Sequence, residues 1–185
     1  MSSIGIVNIG IANINSVYRA LKYLGFSSRI CTKKEELNNV DKIILPGVGN
    51  FTTAMHLLEK ENFTSVLKNL VINDKRPILG ICLGMQLLCK QGFEGGKTEG
   101  LDFIDAKVML HRGKNYNVNI PHIGWNDVKH DGGVLYNNIE SNSCFYFVHS
   151  YEVRLNTSNC NIGISNHGVD FVASFEKNNI FGVQF

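Results

Sequence analysis

The sequence predicts an α/β fold with an open, mixed sheet: a parallel core, antiparallel strands added to it, and helices on both faces. Three observations lead there. In the first half, short apolar runs alternate with stretches whose apolar residues repeat at helical spacing. From about Lys107 onward the pattern becomes short strand-like pieces separated by Gly, Asn and Asp. The length, 185 residues, suits one domain, and a domain of that size buries roughly 70% of the surface its unfolded chain exposes.

In order along the chain, Ile4 to Ile9 reads as a buried strand between Gly5 and Gly10. Asn13 or Asn15 caps a following helix on which Val17, Leu21 and Leu24 share a face, with Gly25 at its C-terminal end. Ser28 to Cys31 is a second strand, and Lys42 to Leu45 a third, stopped by Pro46-Gly47. Phe63, Val66, Leu67, Leu70 and Val71 mark another helix. Ile78 to Ile81 is a fourth apolar strand, and Gly84 to Lys90 reads as helix. The strand-like pieces of the second half are 118–123, 145–148, 152–155, 169–175 and 180–185, read as antiparallel additions to the same sheet. Asn166-His167-Gly168 and Lys177-Asn178-Asn179 are hairpin turns. The core is flavodoxin-like, and in such sheets the site lies at the C-terminal ends of the parallel strands.

Composition narrows the function. The formal net charge is +2 and the basic residues are scattered, which argues against a nucleic-acid or membrane surface. Five cysteines, an odd number with no CxxC pair, disfavour a disulfide framework or a zinc site and favour a reducing, cytoplasmic compartment. The N-terminus lacks a signal-peptide pattern, and no apolar run approaches the ~20 residues of a membrane span.

The sharpest local signal is Gly80-Ile81-Cys82-Leu83-Gly84. It follows an apolar strand and precedes a helical pattern, as in a nucleophile elbow with sulfur in place of oxygen. So tight a turn strains the nucleophile's backbone and leaves no room for side chains two positions either side. It sets Cys82 at a helix N-terminus, where partial positive charge favours a thiolate. The Leu83 N–H becomes an oxyanion donor. The bland alternative is a buried cysteine between helix-packing glycines. Pro46-Gly47-Val48-Gly49 ends a second parallel strand, where glycines allow a peptide N–H to be aimed at a ligand.

These residues resemble a known family. Leu79-Gly80-Ile81-Cys82-Leu83-Gly84-Met85-Gln86 resembles the nucleophile motif of class I glutamine amidotransferases, and Pro46-Gly47-Val48-Gly49 the oxyanion strand of one branch. Pro121-His122-Ile123-Gly124-Trp125-Asn126 and Tyr146-Phe147-Val148-His149-Ser150-Tyr151 are similar to motifs of the HisH family, the glutaminase subunits of imidazole glycerol phosphate synthase. The resemblance runs from Ile4 to Phe185. It implies hydrolysis of L-glutamine to glutamate and ammonia, with the ammonia passed through a tunnel to a (β/α)8-barrel cyclase (HisF-like), and no metal or organic cofactor. By the same resemblance, Cys82 is the nucleophile and forms a thioester. Leu83 and Val48 supply oxyanion N–H groups, each donor worth about 3–4 kcal/mol. Gly49, Gln86, His149, Ser150 and Tyr151 bind substrate, and Trp125 and Asn126 face the partner and tunnel. On the residues alone, Trp125 could equally be a core anchor, and His122 and His149 read as structural histidines rather than the general base.

In the family, Gly-Val-Gln-Phe is followed by His-Pro-Glu, which completes the triad. Here the sequence given ends at Gly182-Val183-Gln184-Phe185, so the triad His and Glu are not present in it. The expectation is a single glutamine amidotransferase domain over 1–185 that lacks a short C-terminal segment. Alternatives are a paralogue feeding ammonia to a surface-polysaccharide sugar amidotransferase and a catalytically dead binding subunit. An unrelated cysteine hydrolase shares the elbow but leaves the Trp125 and Tyr151 motifs unexplained.

Overall fold

A computed structural model describes residues 2–113 and 118–185. Its parallel core begins with β1 (Ser3–Val7), α1 (Ile14–Tyr23) and β2 (Ser27–Cys31). After a 3-10 turn come β3 (Lys42–Gly47), α2 (Phe51–Lys60) and α3 (Phe63–Lys68), the last running into a π turn. Then come β4 (Ile78–Cys82) and the short α4 (Leu83–Leu87). The second half supplies β5 (Cys89–Gly92), β6 (Thr98–Glu99), β7 (Ile104–Leu110), β8 (His122–His130) and β9 (Ser143–His149). It ends with β10 (Tyr151–Leu155), β11 (Asn161–Asn166), β12 (Asp170–Lys177) and β13 (Ile180–Val183).

The main sheet runs β2-β1-β3-β4-β13-β12-β10-β7-β5-β6, and β11 branches from β12 to meet the β8–β9 hairpin. Pairs from β2 through to β13 are parallel. Strand order reverses direction between β1 and β3. Right-handed crossovers therefore set α1 and the α2–α3 unit on opposite faces, and the C-terminal ends of β1, β3 and β4 open at the switch point.

The structure departs from the sequence reading at several elements. β3 does not stop before Pro46: Pro46 and Gly47 pair with Ile81 and Cys82, so the turn begins directly after the strand partner of Cys82. α2 is an added helix. Asn50 caps it by accepting from the Thr53 N–H, and Phe51, Ala54, Met55 and Leu58 form its buried stripe. The helix after Cys82 ends at Leu87 rather than Lys90, and Cys89 lies in β5. The returning chain accompanies this: the Leu101, Phe103 and Gly100 N–H groups donate to the Leu87, Leu88 and Lys90 carbonyls, and Cys89–Gly92 pairs as a strand with β6 and β7. The strand expected over 118–123 is β8, displaced toward the C-terminus, and β5, β6, β7 and β11 are further strands. β13 is antiparallel to β12 but parallel to β4, and β5 is parallel to β7. Both hairpin turns form, with Gly168 at φ 75° and Asn178 at φ 55°.

One core packs Val7, Ile43 and Leu45 of the sheet against Phe51, Leu58, Phe63 and Leu67 of the helices. Each such fully buried side chain contributes roughly 1.5–3 kcal/mol. A smaller core under the β8–β9 hairpin holds Val128, Tyr136, Phe147, Phe171 and Ala173, flanked by Phe145 and Phe185. No helix among the described residues is long and apolar enough to cross a membrane.

Candidate active site

Cys82 caps α4 with φ 56° and ψ −113°, a strained conformation for a residue with a side chain. Its flanking glycines are required by contact. A Cβ on Gly84 would run into the Leu45 carbonyl, and one on Gly80 would sit 2.6 Å from the Gly84 oxygen. The elbow is thus wedged between β3 and its own helix, and the strain is held by backbone on both sides.

The sulfur is largely buried, and that burial pushes the thiol pKa up, against smaller opposing effects of the Leu83 N–H and the Gln184 side chain. Burial thus works against the thiolate stabilisation expected at the helix N-terminus, and α4 is only five residues long. Gln184 Nε2 donates to Cys82 Sγ at 3.6 Å, and Gln86 Nε2 donates to Gln184 Oε1 at 3.0 Å and to the Tyr151 carbonyl at 3.4 Å. Both amides are buried.

A cavity of about 380 Å³ opens over Cys82. Val48, Gly49, Leu83, Gln86, His149, Ser150 and Tyr151 all line it, so the structure brings together every residue predicted to act on substrate. Trp125 and Asn126 lie outside the lining, on β8. Pro121 and Val148, quoted in the sequence motifs but given no role there, also line the cavity, as does Glu94, which was not singled out from the sequence. Glu94 accepts the Phe51 N–H at 2.8 Å and so ties the cavity wall to the start of α2. A lone glutamate in a loop carries no local signal of that placement, whereas Gln184 sits in the Gly-Val-Gln-Phe run already noted.

Two details of the wall bear on chemistry. The Val48 N–H is occupied: it donates to the Ile11 carbonyl at 2.8 Å. Gly49 follows at φ 106°, a conformation open to glycine. The ring of His149 is also occupied. Its Nδ1 lies 2.8 Å from the Tyr151 carbonyl and its Nε2 3.0 Å from His122 Nδ1. Burial, with neighbouring histidines adding to it, holds the pKa down to about 4 for His122 and about 3 for His149, despite the Tyr151 carbonyl. Among the described residues no group of three or more His, Cys, Asp or Glu side chains is placed to hold a metal ion.

The family described as Glutamine amidotransferase class-I matches residues 5–185. The chain is 41% identical over 183 residues to Imidazole glycerol phosphate synthase subunit HisH 1 of Campylobacter jejuni (strain RM1221), covering 98% of this chain and 90% of that one. It is 40% identical to the HisH subunit of Caldanaerobacter subterraneus subsp. tengcongensis, over 98% and 88% of the two chains. This chain belongs to the HisH family of class I glutamine amidotransferases. The fold agrees. A glutamine amidotransferase crystal structure superposes with a TM-score of 0.78 over 98% of this chain and 88% of that one at 18% identity. A glutamine amidotransferase from Thermotoga maritima gives 0.68 over 100% and 75% at 15% identity.

For a HisH-family chain, the exposed face of the β8–β9 hairpin stands out. Trp125 is 69% exposed and pairs across the strands with Tyr146, ring centroids 5.5 Å apart. Ile123 and Val148 pair beside them, also exposed. The core-anchor alternative for Trp125 is therefore set aside: the aromatic points to solvent. Val148 belongs to both this face and the cavity lining, so the apolar strip begins at the site itself.

Proposed function

We propose that this chain is the glutaminase subunit of an imidazole glycerol phosphate synthase. It hydrolyses L-glutamine at Cys82 and passes the ammonia to a (β/α)8-barrel cyclase docked on the β8–β9 hairpin. The observation that carries this reading is the convergence on one cavity of the strained Cys82, the Pro46–Gly49 turn and the Gln86 and His149–Tyr151 wall. The relatives' names supply the recipient of the ammonia.

In this mechanism the Cys82 sulfur attacks the glutamine side-chain carbonyl carbon, the C–N bond breaks, ammonia leaves with a proton, and water hydrolyses the resulting thioester. Leu83 N–H stabilises the oxyanion from the start. Val48 N–H joins it only after the Gly47–Val48 peptide rotates away from Ile11, so the free chain rests in a low-activity state. Docking of the liganded cyclase drives that rotation. Glu94, the carboxylate in the cavity lining, is the partner for the substrate's α-ammonium group. His149 does not serve as base, because both its ring nitrogens are engaged. The base comes in this reading from the family's His-Pro-Glu run. β13 lies parallel to β4 with Val183 opposite Ile81, so such a run placed after Phe185 would emerge beside Cys82, where Gln184 touches the sulfur. A cytoplasmic location accompanies this chemistry, consistent with five free cysteines.

The test is ammonia release by the native gene product, with its length established by intact mass. Activity that appears with the barrel partner and its nucleotide ligand, and is lost in Cys82→Ala, is the expected result. Partner binding without ammonia release would make the chain a binding subunit. Release stimulated only by a sugar amidotransferase would reassign the recipient.

A further inference from the structure

A buried hydrogen-bond chain runs from the hairpin to the nucleophile, and its proton positions can be assigned from its two ends. At one end His149 Nδ1 faces the Tyr151 carbonyl at 2.8 Å. A carbonyl only accepts, so Nδ1 carries the proton. At the other end Asn126 Nδ2 donates to the Asn166 carbonyl at 2.8 Å, which fixes that atom as the amide nitrogen. The same nitrogen lies 3.0 Å from His122 Nε2, which must therefore accept. His122 then holds its proton on Nδ1 and gives it to His149 Nε2 at 3.0 Å. Every contact is satisfied in one arrangement: both rings neutral, both protonated on Nδ1. An added proton on either ring would set two donors against each other in a site with almost no solvent, since His122 is 2% and His149 6% exposed.

The chain does not stop at Tyr151. The same carbonyl accepts from Gln86 Nε2, whose other hydrogen goes to Gln184, and Gln184 contacts the Cys82 sulfur. We propose that His122 and Asn126 are positioning residues for the glutamine cavity: through His149 they hold the Tyr151 carbonyl, and with it the Gln86–Gln184 pair that sets the wall beside Cys82. Neither His122 nor Asn126 lines the cavity itself. His122 stacks on Phe147 at a ring-centroid distance of 5.0 Å and on His167 at 4.1 Å, so the ring is clamped and the chain has little slack. This inference rests on the cavity being the glutamine site.

Two measurements test it. The first uses the chain as it stands: long-range 1H–15N spectra of the imidazoles at pH 6. The expected signature is two neutral Nδ1–H rings assigned to His122 and His149; an Nε2–H tautomer or an imidazolium at either position overturns the proposal. The second compares two reagents for Cys82, a chloroketone analogue of glutamine and iodoacetamide. Wild type reacts preferentially with the analogue. His122→Leu removes the donor to His149 and lowers the analogue rate by about tenfold, the loss that accompanies a buried acceptor left unpaired, with the iodoacetamide rate unchanged. His122→Asn, whose amide nitrogen replaces Nδ1 as donor, restores the analogue rate. An unchanged ratio in His122→Leu, or no rescue by His122→Asn, refutes the positioning role. A wild-type chain with no preference for the analogue refutes the glutamine-site reading instead, and the proposal with it.

Discussion

Gly84→Ala tests the central claim about the elbow, that backbone on both sides enforces its geometry. A methyl at this position would meet the Leu45 carbonyl oxygen head-on and lie 2.8 Å from the Leu45 carbonyl carbon, where ordinary contact begins at 3.4 Å. Neither atom is the free end of a side chain. Leu45 sits in β3, paired with Gly80 of β4, so relief requires β3 and α4 to move apart within a packed core. Overpacking of this kind costs about 3 kcal/mol. At roughly 2–4 °C per kcal/mol for a domain of this length, the thermal midpoint falls by about 6–12 °C. Thermal and urea unfolding followed by circular dichroism read it directly. Gly25→Ala is the comparison: Gly25 also has a special conformation, φ 78°, but nothing lies within 4 Å of an added Cβ. Its cost is the backbone term alone, about 1–2 kcal/mol. If Gly84→Ala is as stable as wild type, or less damaging than Gly25→Ala, the wedge between β3 and α4 is not what holds the elbow.

Other consequences follow from the same geometry. Because burial raises the Cys82 pKa, the thiol is protonated near neutrality; iodoacetamide alkylation of Cys82 in the free chain should be slow at pH 7 and climb steadily through the alkaline range, and a rate already at its plateau at pH 7 would contradict this. His122 and His149 have folded pKa values below the ordinary histidine value, so between about pH 6.5 and 4 the unfolded chain binds more protons than the folded one. Stability should fall with acidification across that window, by up to ~1.4 kcal/mol per pH unit for each ring, and urea midpoints in wild type and His122→Asn measure it. Trp125→Ala removes a solvent-exposed ring, so stability should stay within ~0.5 kcal/mol while affinity for the proposed barrel partner drops by about 2 kcal/mol, near thirtyfold; urea unfolding and titration calorimetry measure the two. Val48→Pro deletes the N–H now bonded to Ile11 and proposed for the oxyanion, and partner-stimulated ammonia release should fall by about 10²-fold or more.

The parts of this site legible in the sequence were those encoded by neighbours in the chain. Gly80, Cys82 and Gly84 announce an elbow because its steric demands fall within five residues. Gly25, Gly168 and Asn178 mark turns because the conformations they adopt exclude most other residues. Helix boundaries were less legible. The stripe of α2 was present in Phe51, Ala54, Met55 and Leu58, but the glycines and proline just before it read as loop. The end of α4 was not written locally at all, since the chain from Leu87 to Lys90 is held by N–H groups of residues 100–103 returning to take its carbonyls.

The elbow at Cys82, the strand ends that flank it and the family were readable in the chain alone, because motif spacing and backbone sterics are short-range properties. Tertiary structure decided which groups are free to act. It committed the Val48 N–H to Ile11, the two nitrogens of His149 to Tyr151 and His122, and Glu94 to the wall of the cavity. Apart from the local His149–Tyr151 contact, each of these depends on hydrogen bonds between residues far apart in the chain. Only strand pairing, which sets His122 opposite His149 and Gly47 opposite Cys82, brings those partners within reach.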